Sequence, residues 1–126
     1  MNAAELARSA YASTKSTILT DRGTEYAVFS RITQNIKAAS IRGSTGFPAL
    51  VAALHENRKL WSILANDVAD EENGLPEQLR ARIFYLAEFT DFQTQKILAG
   101  EAAADALVDI NTSVMRGLRN ISEAVS

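Results

Sequence analysis

The chain has one histidine, His55, and it opens the string His55-Glu56-Asn57-Arg58-Lys59. A zinc protease needs H-E-x-x-H, two imidazoles one helical turn apart with a glutamate base between them. Lys59 stands where the second imidazole must be, so the motif fails. A Ser-His-Asp triad would rest on the same histidine, whose ordinary place is a partly exposed helix position. No cysteine is present. That excludes thiol nucleophiles, disulfides, zinc–thiolate sites and iron–sulfur clusters, and it favours an intracellular setting; the charged first thirty residues, with no apolar run of signal-peptide length, predict a cytoplasmic one. Neither G-x-x-x-x-G-K-[ST] nor G-x-G-x-x-G occurs to cradle a phosphate.

Two charged groups remain. Asp67, Asp70, Glu71 and Glu72 could hold a divalent cation, but they lack the alternating ligands and glycine turn of a calcium loop. A solvated helix end is the plainer reading, although carboxylates sit poorly at a helix C-terminus. Arg80, Arg82, Arg116 and Arg119 could form a small basic patch, but scattered surface arginines are the plainer reading. Single-strand binding would want exposed rings beside them. The net charge of −2 supplies no positive excess, so direct nucleic-acid binding is not expected. Asn111-Thr112-Ser113 and Asn120-Ile121-Ser122 match a glycosylation pattern by chance, within a helix. No catalytic, cofactor or metal constellation emerges, and no small-molecule substrate is implied.

The elements that position these residues are helices. With 126 residues, 47% apolar and 22% charged, the chain reads as one globular domain able to bury roughly two thirds of its surface. No stretch approaches the ~18 uncharged apolar residues of a membrane span, so no membrane insertion is expected. Asn2 and Glu5 form a capping box for a first helix near 3–15. Its thin stripe, Leu6, Ala10 and Ser13, predicts weak docking of residues 1–20. A second helix near 22–41 carries Phe29, Ile32, Ile36 and Ala39 at helical spacing and stops at Gly43. A third, near 47–70, starts with Pro48 and carries Leu50, Leu54, Trp61, Leu64 and Val68.

A fourth helix near 76–98 follows the loop 70–76. It has one stripe of Leu79, Ile83, Leu86 and Ile97, and a second of Tyr85, Phe89 and Phe92. Together they cover about half the helix, more than a small bundle ordinarily needs. Either this helix is central and buries both stripes, or part of the face awaits a partner. An aromatic stripe at helical spacing favours the central position. A fifth helix near 105–123 carries Leu107, Ile110, Val114, Leu118, Ile121 and Val125. The sequence therefore predicts an all-α bundle of about five helices, mostly antiparallel. Asn57 and Asn111 fall on or beside apolar stripes, where buried amides could tie helices together. Trp61 reads as a core anchor with its indole N–H satisfied.

Three strings carry a resemblance: His55-Glu56-Asn57-Arg58-Lys59-Leu60-Trp61; Asn73-Gly74-Leu75-Pro76 with Leu79-Arg80-Ala81; and Asp109-Ile110-Asn111 with Val114-Met115-Arg116-Gly117-Leu118. In this order, over about residues 24–118, the chain resembles the FlaF family of flagellar biosynthesis regulators of alphaproteobacteria. The resemblance implies a non-enzymatic factor that binds flagellin and promotes its production and export. Flagellin's terminal helices, unpacked before assembly, could be covered by helix-in-groove docking. The alternative it implies is a regulator of flagellin messenger RNA, acting directly or through the companion regulator FlbT. Candidate contact residues are Tyr85, Phe89, Phe92, Trp61, Asn57 and Arg58; for Trp61 and Asn57 a purely structural role stands beside that one.

Overall fold

The computed structural model describes the backbone of residues 18–125 and the side chains of residues 26–117. The helix expected near 3–15, and with it the docking of residues 1–20, lies outside the described residues. Among those described there are four α-helices and no strand: α1 (Ile18–Ile41), α2 (Phe47–Ala69), α3 (Glu77–Leu98) and α4 (Asp105–Val125). A short 3₁₀ turn, Gly43–Gly46, joins α1 to α2. The all-α bundle is as the spacing predicts, with four of the five expected helices in view.

The boundaries follow from local chemistry. Gly43 takes φ +63°, a left-handed value that favours glycine. At Gly46 a Cβ would run into the Ala39 carbonyl oxygen, so the turn can tuck against the end of α1. Pro48 sits in the first turn of α2, where its missing N–H costs nothing. At the end of α3, Gly100 takes φ +77°, Gly100 N–H donates to Ile97 O (3.0 Å) and Glu101 N–H to Lys96 O (2.9 Å). These two bonds make a Schellman stop.

The end of α2 is closed by side chains. Asn73 Nδ2 donates to Asp67 O at 3.0 Å, and Arg80 Nη1 reaches back from α3 to Asp70 O at 2.9 Å. Asp70 Oδ1 accepts from Glu72 N–H at 2.9 Å, and Asn73 Oδ1 from Leu75 N–H at 3.0 Å. The guanidinium supplies the positive charge that a carboxylate-rich helix end otherwise lacks. Arg80 is thus engaged with backbone carbonyls rather than offered as part of a free basic patch.

The helices run up and down in sequence. Ile36 and Leu54 share one apolar cluster, Phe29 and Trp61 the other, so α1 and α2 are antiparallel. Ile97 lies in the cluster of Leu54, and Ala87 in that of Trp61, which sets α3 antiparallel to α2. α1 packs along α2 and α4, α3 packs along α2, α3 meets α4 only sparsely, and α1 does not meet α3. α3 is therefore peripheral, not central.

Between the two clusters lies a polar layer drawn from all four helices: Thr33, Asn57, Thr90 with Thr94, and Asn111, all buried. Asn111 is its hub. Its Nδ2 donates to Asn57 Oδ1 (2.8 Å) and Thr33 Oγ1 (3.1 Å), and its Oδ1 accepts from Trp61 Nε1 (2.9 Å). The Phe29 ring meets Trp61 edge-on, 5.7 Å between centroids at 80°, a favoured aromatic geometry. The expected roles of Asn57, Asn111 and Trp61 as buried ties are met.

Candidate functional site

On α3 Ile83, Leu86 and Ile97 face the core as the first stripe predicts, but the aromatic residues do not follow that inner face. The buried positions are Ala87, Thr90, Thr94 and Ile97, spaced 3, 4 and 3. Small side chains there let α3 approach α2 closely. The aromatic side chains are left outside: Tyr85 is 66% exposed, Phe92 56% and Phe84 42%, with Phe89 half-buried. This corrects the expectation that Tyr85, Phe89 and Phe92 form a core stripe of a central helix. The physical reason is rotation: a helix buried through Ala and Thr presents the opposite arc, which carries the rings. Lys96 Nζ stands 4.8 Å from the Phe92 ring centroid and covers one end of the display.

Beside this arc, α2 and α3 enclose an open cleft of about 250 Å³. Trp61, Ala65, Ala87, Thr90 and Phe84 line its apolar part, and Arg58, Glu88 and Asp91 its polar part. Arg58 Nη2 and Asp91 Oδ1 form an ion pair at 2.6 Å across the two helices. Thr90 is buried, lines the cleft, and its Oγ1 has no hydrogen-bond partner among the described residues.

The predicted contact residues therefore separate. Tyr85 and Phe92 share the exposed arc, Phe89 is half-buried, Arg58 sits on the cleft rim, Trp61 forms part of the cleft wall from within the core, and Asn57 is fully buried in the polar layer. Phe84, Glu88, Thr90 and Asp91 were not singled out by sequence reasoning. The signal for Thr90 was the 83–87–90–94–97 register, which Ala and Thr made inconspicuous beside the aromatic spacing; Phe84, Glu88 and Asp91 lie one position further on, along its flank. His55 is exposed, as expected. Among the described residues no group of three or more His, Cys, Asp or Glu is placed to hold a metal ion. None of the described helices is long and apolar enough to cross a membrane.

Fold and surface define a small antiparallel helical bundle, latched inside by one amide hub and displaying aromatic rings on one peripheral helix. The Flagellar protein FlaF family model matches residues 7–118, and the chain belongs to that family. No curated protein and no solved structure matched the chain. The three strings that carry the resemblance fall on structural parts: Asn57 and Trp61 in the polar layer, Asn73 and Arg80 at the α2–α3 turn, and Asn111 at the hub.

Proposed function

We propose that this FlaF-family protein is a non-enzymatic, cytoplasmic flagellin-binding factor that covers a terminal segment of flagellin before export and so promotes flagellin production and secretion. The observation that carries the reading is the outward aromatic arc of α3, with Tyr85 and Phe92 more than half exposed. Large apolar side chains clustered on one face of a small chain mark a protein-contact surface. Amphipathic helices are docked by such surfaces through apolar anchors at helical spacing. The alternative, direct action on flagellin messenger RNA, has less support, because Arg80 is engaged with the end of α2 and Arg58 with Asp91. Action through FlbT remains compatible with flagellin binding.

Co-purification tests the reading. The tagged full chain, co-expressed with flagellin, retains flagellin through washes of rising salt, because apolar contact depends little on ionic strength. A complex with a flagellin transcript that dissolves steeply with salt, and no retained flagellin, would replace it with the RNA reading.

A further inference from the structure

We infer that the cleft between α2 and α3 is a seat for one turn of a partner's amphipathic helix. That turn places an apolar side chain over Ala65 and Ala87 and a basic side chain against Glu88. The inference rests on the reading of the chain as a binding protein and names the site and the chemistry it selects.

Size decides the class of occupant. About 250 Å³ lies below the roughly 300–1,000 Å³ of pockets that enclose small molecules. It suits one or two side chains delivered by a larger partner. The floor is made of small groups, Ala65 and Ala87, backed by the Trp61 ring, and Phe84 rises at the edge. A bulky aliphatic side chain fills such a depression and gains contact on several sides. A groove between two packed helices is also a shape that a third helix enters by ridges and grooves.

Charge sets the flank. Of the three charged residues at the cleft, Arg58 and Asp91 neutralise each other. Glu88 is exposed and forms no ion pair among the described residues, so the rim carries one unmatched negative charge. A cation on the partner, one turn from the apolar anchor, matches it.

The chain carries its own reporter, since Trp61 is the single tryptophan and lines the cleft. The probes are two designed helical peptides of about 20 residues, long enough to be helical when bound. Both present a leucine anchor; they differ in an arginine or a glutamate one turn away. With the full-length chain, Trp61 emission shifts saturably, and the arginine peptide binds about fivefold tighter, the scale of one exposed ion pair. Glu88→Lys reverses that preference, and Ala65→Leu, which fills the floor, abolishes the shift. Absence of a saturable shift with either peptide would overturn the seat. So would equal affinities that Glu88→Lys leaves unchanged. Glu88 is exposed, so its variant keeps the test valid even if Ala65→Leu fails to fold. Flagellin itself separates the two levels. Undiminished flagellin capture by Glu88→Lys overturns the cleft as flagellin's seat and keeps the flagellin reading. No capture by the wild-type chain, with the peptide preference intact, overturns the flagellin reading and keeps the cleft.

Discussion

Trp61 donates its indole N–H to Oδ1 of Asn111, fifty positions later in the chain, at 2.9 Å in the middle of the core. The bond joins α2 to α4, both of which pack along α1. Both of its ends are inaccessible to water, so each group depends on the other for satisfaction. Because Asn111 also donates to Asn57 and Thr33, one amide side chain holds three neighbours.

Replacing that hub should be costly. Asn111→Leu keeps the approximate volume but strands the Trp61 N–H and Asn57 Oδ1 together, while Thr33 Oγ1 keeps its bond to Phe29 O. At about 1–3 kcal/mol for each buried group left unpaired, a loss of about 3 kcal/mol or more is expected. Urea denaturation followed by circular dichroism measures it. A midpoint within error of wild type would mean the layer is wet.

Trp61→Ala should cost about 3–5 kcal/mol, since it empties a buried aromatic site, and Trp61→Phe markedly less, since most of the apolar volume stays. Thermal melts of the two variants side by side check the order. Equal losses would assign the whole effect to the hydrogen bond rather than to packing against Phe29.

A gain is expected at Thr90→Val. The side chain is buried, both residues are β-branched, and the hydroxyl removed has no partner among the described residues. Deleting an unpaired buried polar group in favour of a methyl of the same shape should raise stability by about 1 kcal/mol. The melting temperature reads this directly, and a fall instead of a rise would show that the hydroxyl is satisfied in solution.

Arg80→Ala removes the guanidinium that closes the C-terminus of α2. A loss of about 1 kcal/mol is expected, the usual scale of one hydrogen bond from a cation to a helix end. Arg82→Ala is the control: Arg82 is exposed, and its replacement should stay within about 0.5 kcal/mol.

Phe92→Asp separates stability from binding. Because the ring is more than half exposed, the folded chain should lose under about 1 kcal/mol. Flagellin retention should fall sharply, since a carboxylate in an apolar contact is desolvated without compensation. Measuring melting temperature and flagellin capture on the one variant distinguishes a surface contact from a core defect.

Much of the scaffold was legible because large apolar residues declared it. Phe29, Ile32, Ile36 and Ala39 repeat at helical spacing, and all four are buried. Asn57, Trp61 and Asn111 were legible as ties because polar groups on apolar stripes must find partners inside. The outer arc of α3 was misjudged because size was taken as a guide to burial. Ala87, Thr90 and Thr94 form the true inner face, and small or hydroxylated residues do not advertise a stripe. The cleft was invisible for another reason. Arg58, Glu88 and Asp91 come from two helices, and only the α2–α3 packing brings them together.

The polar layer also acts as an index mark. Asn111 bonds α1 and α2 from α4 at a single axial setting; a slide of one turn, about 5.4 Å, would break all three bonds in a dry interior. Those three helices are thereby fixed in phase, as a buried polar residue fixes register in paired helices. α3 carries no such mark. Thr94 Oγ1 donates within its own helix, to Thr90 O at 2.6 Å, and Thr90 Oγ1 has no partner among the described residues. α3 is seated by the apolar packing of Ala87 and Ile97 and by polar ties at its surface, the Arg58–Asp91 pair and the reach of Arg80. The cleft thus has one wall indexed by buried hydrogen bonds and one wall seated by shape and surface charge.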